Sequence, residues 1–368
     1  MYLSVRDLVF ARGRFALIGG VVALITLLLV LLTGLTDGLG GRNTSALERL
    51  DADRMVFSAP ADGSEQPSFP ESGITDEQLR LWEDAAGGAA VERLGVAQSR
   101  AGAVGSGAAG VAVVGLEEGT ALAPTLGAFE GDSRPAPGRA VLSETVAGDL
   151  GLSMGDAVRL SSTELIVAGI AADEHYSHVP VVWTSMTDFP AIAHLDGATG
   201  ATVLAVPGGA PVPAEAAAAA DEAAGTVSTD ARGALAALPA YRSERGSLLM
   251  MQAFLYGISA LVVVSFLTVW TIQRTRDIAV LRALGSSGGY VLRDSLAQAA
   301  VVLLAGVLAG GLAGLAGGLA AGTAVPFALT PATLLVPVLG VFVLGVAGAL
   351  LATRRVSSVD PLLALGGN

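Results

Sequence analysis

Four apolar runs dominate the chain, at residues 15–35, 248–272, 296–325 and 332–353. Each reaches the roughly 20 apolar residues that a bilayer core asks of a helix. None contains Asp or Glu. Pro337 falls near the start of the fourth run, where it causes at most a kink, because neighbouring groups satisfy the freed carbonyl. The first run is longer than the ~7–15 residues of a signal-peptide core. The following "TGLTDGLGG" offers no convincing cleavage site, so the run reads as a retained anchor.

Between the first two runs the pattern changes to short mixed elements. "SGITDEQLRLWEDAAGGAAVERL" starts a helix in which Thr75 and Gln78 fit a capping box and Leu79, Leu81 and Trp82 are apolar. "GVAVVGL" and "HVPVVWTS" read as strands, and "AVLSETVAGDLGL" as a strand followed by a short helix. "DAVRLSSTELIVAGIAA" reads as a hairpin turning near Ser161–Thr163, and "PAEAAAAADEAAG" as a helix. A further helix, "STDARGALAALPAYRSERGSLLMMQAF", is expected to be interrupted near Pro239 and to continue into the second span. The predicted class is a membrane protein with four transmembrane α-helices and a large α+β extracytoplasmic domain between helices 1 and 2.

Charge orients this arrangement. Arginine clusters before the first run, between the second and third, and after the fourth, so the positive-inside rule places both termini and the basic loop in the cytoplasm. These parts hold nine arginines against four acids, and the remainder twelve against twenty-nine. The expected division is a cytoplasmic interfacial helix (1–14), a first span (15–36), the extracytoplasmic domain (37–246) and a second span (247–273). A cytoplasmic loop (274–294), a third span (295–325), an outer loop (326–331), a fourth span (332–353) and a cytoplasmic tail (354–368) follow. The expected location is the plasma membrane.

Composition then narrows the chemistry. Hydrophobic residues make up 52% and charged residues 15%, the balance of a membrane protein. Every basic residue is arginine, so a Walker A loop and Schiff-base chemistry are excluded. Cysteine is absent, which removes disulfides, thiol catalysis and thiolate metal sites. No spacing supplies a catalytic triad, so no catalytic residue is named. The lack of carboxylates in the spans argues against a proton-coupled transporter. Gly306, Gly310, Gly314, Gly318 and Gly322 recur every fourth residue, a small-residue stripe for close helix packing or the chance product of an Ala/Gly-rich span.

The segment after the second run is "TIQRTRDIAVLRALGSS", in which arginines interleave with Ile278, Leu281 and Leu284. Such a basic amphipathic helix either fills a partner's groove or lies on the lipid surface. "QRTRDIAVLRALGSSGGYVLRDSLAQA" (273–299) resembles the signature of FtsX-like permeases, the membrane subunits of MacB-type ABC transporters. "RRVSSVDPLLALGG" (354–367) is similar to that family's C-terminal pattern, and "GRAVLSETVAGDLGLSMGDAVRL" resembles an element of its outer domain.

The resemblance implies a transport subunit that hydrolyses no ATP, with ATP and Mg²⁺ bound by a separate cytoplasmic ABC ATPase. It also implies a second copy of the chain in a 2+2 assembly, embedded in lipid, with no nucleic-acid partner. Arg274, Arg276, Ile278, Leu281, Arg282, Leu284 and Gly285 would dock on the ATPase. Local wording is most similar to the haem-exporting branch. Haem would then be cargo rather than intrinsic cofactor, and its iron the one metal concerned. Two other readings remain: export of a different amphiphile such as a peptide, antibiotic or lipid, and an FtsX-type force or signal transmitter acting on an extracellular partner.

Haem iron accepts His, Met, Tyr or carboxylate ligands. At the start of the second span, Tyr241, Glu244, Arg245, Met250, Met251 and Tyr256 offer such ligands, an arginine for propionates and an apolar wall. The plainer reading is packing methionines and a solvated Glu–Arg pair. His175 and His178 in "EHYSH" are further candidates or simply turn residues, and His194 stands alone.

Overall fold

The computed structural model describes residues 12–60, 66–87, 90–103, 107–123, 126–196, 198–209, 211–273 and 288–357. It divides into two compact units: Gly40–Arg245, and the remainder formed by Met1–Leu39 with Gly246–Asn368.

In chain order the elements are α1 (Arg12–Glu48), β1 (Ala52–Ser58), β2 (Ile74–Thr75), α2 (Asp76–Ala85), β3 (Glu92–Gly102), β4 (Ala108–Leu116), β5 (Ala128–Gly131) and β6 (Arg139–Ser143). Next come α3 (Glu144–Leu150), β7 (Ala157–Leu160), β8 (Thr163–Ala171), β9 (His175–Tyr176), β10 (Val179–Ser185), α4 (Phe189–Ala193), β11 (Thr199–Ala201) and β12 (Val203–Pro207). The last are α5 (Ala214–Ala224), β13 (Thr226–Asp230), α6 (Ala231–Leu235), α7 (Pro239–Gln273), α8 (Gly288–Ala321) and α9 (Pro331–Ser357).

The outer unit is α+β, as the sequence pattern predicts. Its main sheet runs β13-β1-β12-β3-β4-β10-β6-β8-β5. Most neighbours are antiparallel, but β10–β4 and β6–β8 are parallel. β7 pairs with β8 over four residues and with β3 at Ala101↔Leu160 and Gly102↔Arg159. That seam closes β3-β4-β10-β6-β8-β7 into a ring, and Ala101, Val113, Leu142, Val158, Leu160, Val167 and Val182 belong to one continuous core. Alternation along the strands puts neighbours of these residues, Arg100 and Arg159 among them, on the outer face.

Helices cover the sheet for local reasons. Thr75 accepts from Gln78 N–H while the Gln78 side chain accepts from Thr75 N–H, the expected capping box of α2. Trp82 of α2 is fully buried, and its indole N–H donates to Thr226 Oγ1 at 2.9 Å. Thr226 in turn donates to Asp221 at 2.7 Å, tying α2, α5 and β13 together. On α5, Ala217, Ala220 and Ala224 are buried at helical spacing, and the helix stops at Gly225 in the left-handed region, φ 61°. α4 sits so close to the sheet that a Cβ on Gly95 or Gly115 would lie 2.4 or 2.7 Å from Phe189.

In the membrane unit, among the described residues, four helices are long and apolar enough to cross a bilayer: Phe15–Glu48, Pro239–Val269, Arg293–Ala321 and Pro331–Leu351. The expected break before the second of them falls between α6 and α7, and α7 begins at Pro239 itself, the first-turn position that proline tolerates. The glycine stripe of α8 meets α1. A Cβ on Gly306 would lie 2.9 Å from the Gly19 carbonyl, on Gly310 2.3 Å from the Ala23 carbonyl, and on Gly314 2.7 Å from Val30. Gly318 faces Phe327 instead, and at Gly322, in the turn that follows α8, an added Cβ meets only the Gly318 carbonyl. The stripe is therefore a packing face over its first three glycines.

Candidate functional site

The chemistry-bearing residues of the outer unit gather where the last turns of α1 meet the β9–β10 hairpin and the first turns of α7. Tyr176 pairs with Val179, leaving Ser177 and His178 as a two-residue turn. Both have positive φ, 50° and 69°. This is the backbone that hairpin twist favours and that Asn-Gly adopts most easily, so Ser-His adopts it at a cost. What holds the turn is α1: Ser177 N–H donates to the Asn43 carbonyl at 3.0 Å and His178 N–H to the Arg42 carbonyl at 2.8 Å. His175 N–H donates to Ser45 Oγ at 2.8 Å.

The fixed turn aims His178 at Glu244. Nε2 lies 2.9 Å from Glu244 Oε1, and Asn43 Nδ2 lies 2.9 Å from Oε2. Asn43 Nδ2 is also 3.2 Å from His178 Nε2. An Nε2–H tautomer resolves the triangle, because each carboxylate oxygen then receives one donor. Protonation of the imidazole keeps that geometry and makes it an ion pair between half-exposed groups.

Just before the turn, at residues 174–176, burial works differently. Glu174 is pushed above the usual carboxylate range by burial, partly offset by its hydrogen bond to Ser45. His175 is held below the usual imidazole range by burial and by Arg42. Burial also raises the Tyr176 phenol. All three are biased toward their neutral forms.

The sequence candidates separate into groups. Tyr241 is 8% exposed and belongs to the core with Ala234, Ala237 and Leu238. Arg245, one turn later on α7, donates to the Tyr241 hydroxyl and lies 5.5 Å over its ring. In the membrane unit, Met250 and Met251 are 62% and 46% exposed. Gln252 donates to Thr36 Oγ1 at 3.2 Å, a polar tie between α7 and α1. Tyr256 packs on Gly340 of α9, where a Cβ would lie 2.9 Å from its ring. Arg274, Arg276, Ile278, Leu281, Arg282, Leu284 and Gly285 lie outside the described residues. Among the described residues, no three His, Cys, Asp or Glu side chains group as a metal site.

Two features escaped sequence reasoning. One is the joining of His178 and Glu244, with Asn43 as third member; these positions are too far apart in sequence for any periodicity to relate them. The other is His194, read as standing alone. Its Nε2 lies 2.7 Å from Ser161 Oγ.

Four helices long and apolar enough to span, with an α+β domain inserted between the first two, are the architecture of a multi-pass membrane protein. Residues 15–222 match the MacB-like periplasmic core domain and residues 249–361 the FtsX-like permease C-terminal domain. The chain belongs to this FtsX/MacB family of ABC-transporter permeases. It is similar to proteins named hemin transport system permease protein HrtB: 29% identical over 130 residues in Staphylococcus haemolyticus and 26% in Staphylococcus epidermidis. Each match spans 35% of this chain and 37% of the relative. Among solved structures, the extracellular domain of the noncanonic ABC-type transporter YknZ from Gram-positive bacteria aligns at 14% identity and TM-score 0.34, over 48% of this chain and 97% of that one. The periplasmic region of MacB from Actinobacillus actinomycetemcomitans aligns at 10% identity and TM-score 0.36, over 51% and 94%.

Proposed function

We propose that this permease exports haem, or an amphiphile like it, from the plasma membrane and so detoxifies the cell. A separate cytoplasmic ATPase drives it, and the working assembly contains two copies of each chain. Both termini lie in the cytoplasm and the outer unit outside. The observation that carries the reading is the similarity to proteins named as hemin transport permeases. Its chemical support is α7, which presents Glu244, Met250 and Met251 within two turns, all groups that haem iron accepts.

In this reading ATP-driven closure of the partner reaches α7 and α8 through residues 274–285. Haem meets the outer part of α7, with Met250 and Met251 forming an apolar, polarisable contact. Both Glu244 oxygens already accept hydrogen bonds. Ligation of iron by Glu244 therefore exchanges the Asn43 or His178 side-chain bond for a metal bond, while the Ser177–His178 turn stays held by its backbone bonds to α1. Arg245 gives one guanidinium hydrogen to the Tyr241 hydroxyl and keeps others for a propionate.

A haemin titration of the detergent-purified chain, followed at the Soret band, tests this with Glu244→Ala and Met251→Ala alongside. A saturable, stoichiometric shift altered by either variant is expected. A shift unchanged in both would keep haem and move its site. The absence of a saturable shift would overturn haem as cargo and favour a different amphiphile or a force transmitter acting on an extracellular partner.

A further inference from the structure

We propose that the ring seam of the outer unit is a binding site for a phosphate group. At the seam Gly102 of β3 pairs with Arg159 of β7, and Ser161 N–H donates to the Arg100 carbonyl at 3.1 Å. Arg100 lies two residues from Gly102 on the same strand face, so the register places it diagonal to Arg159 on the outer face. Both line a cleft of about 600 Å³ together with Gln98, Ser161 and His194. No carboxylate lines it.

Three observations make this more than two surface arginines. First, neither Arg100 nor Arg159 has a carboxylate within ion-pair distance among the described residues, although the surrounding extracytoplasmic region holds twenty-nine acids against twelve arginines. Arg80 likewise makes no ion pair among the described residues, but Arg100 and Arg159 share one face of the seam and a cleft that no carboxylate lines. Glu164 is the cross-strand neighbour of Arg159 and makes no ion pair with it. Second, Ser161 and His194 both have φ 55°, in the left-handed region that non-glycine residues rarely occupy. They come from the β7–β8 turn and from the end of α4, and their side chains meet at 2.7 Å. Third, the hydrogen-bonded Ser161–His194 pair adds a further donor to the same cleft as two guanidinium forks. Donors from three segments suit the several oxygens of a phosphate better than the two of a carboxylate. The site is distinct from α7 and independent of the cargo.

The test is a phosphorus NMR titration of the full-length chain in phosphate-free detergent with inorganic phosphate at constant ionic strength. Saturable binding of one phosphate per chain is expected. It should weaken about tenfold or more in the Arg100→Gln/Arg159→Gln double variant and several-fold in His194→Gln, since each charge-assisted bond lost is on the order of a tenfold effect. Glu164→Gln should tighten it, and Arg80→Gln, an exposed arginine elsewhere, should leave it unchanged. If the double variant does not fold, Arg159→Lys keeps the charge and loses the fork, and should weaken binding by an intermediate factor. Competition by glycerol 3-phosphate would assign the ligand to soluble phosphate esters, and competition by dihexanoylphosphatidylglycerol to lipid head groups. Failure to saturate, or equal weakening by Arg80→Gln, would overturn the site.

Discussion

In the outer unit the largest fully buried side chains are aromatic, Trp82, Trp183, Phe57, Phe69 and Phe189, and they fill layers between a sheet and its helices. In the membrane unit helices approach closely at residues with no side chain, among them Gly306 and Gly310 against the backbone of α1. The contrast follows from the solvent. Water pays for burying a large aromatic surface. Lipid gives no such drive, so helices gain by approaching until backbones touch. One chain thus holds two packing regimes, and each fails to a different kind of substitution.

The largest effect should come from emptying an aromatic site. Trp82→Ala removes a fully buried ring and leaves Thr226 without its indole donor; a loss of about 3–5 kcal/mol is expected in chemical unfolding of the outer unit. An unchanged midpoint would mean that this core does not govern the unit's stability. Next in size is adding a methyl where backbones meet. Gly310→Ala should cost about 1–3 kcal/mol in detergent unfolding, whereas Gly322→Ala, in the turn after α8 and clear of any neighbouring helix, should change stability by less than about 0.5 kcal/mol. Equal effects at both glycines would erase the distinction between a packed stripe and mere composition.

The smallest expected effect is electrostatic. The pKa of His175 is depressed in the fold, so as pH falls below about 6.5 the unfolded chain takes up the proton first. The stability this group contributes is complete above that value and is lost as pH falls toward the folded-state pKa. His175→Gln should therefore flatten the loss of stability between pH 7 and pH 5, measured by thermal unfolding. A variant whose acid limb steepens instead would contradict the assigned cause.

Much of this architecture was legible before any coordinates. Thr75 and Gln78 announce α2, Pro239 marks the start of α7, and the apolar runs find the spanning helices, because caps, proline and periodicity are local. The order of the sheet was not legible. Parallel pairing of β10 with β4 and closure of β7 on β3 depend on which surfaces meet after long excursions. The same holds for the site: Glu244 and His178 were each noticed, but their union with Asn43 rests on a left-handed Ser-His turn that composition gives no reason to expect. His194 stands alone in sequence because its partner, Ser161, lies 33 residues earlier in the β7–β8 turn while His194 caps α4.

The pairing of β1 with β12 and β13 carries a consequence in time. Met55 waits for Ala205 on one side and Thr229 on the other. At about 5–20 residues per second of synthesis, roughly nine to thirty-five seconds separate the birth of β1 from that of its last partner. Through that interval an apolar strand, already tethered to its first span, has nothing to pair with and two open edges. Biogenesis of this protein therefore has a vulnerable window whose length is set by sheet topology, and a chaperone acting outside the membrane would be needed most before residue 230 emerges.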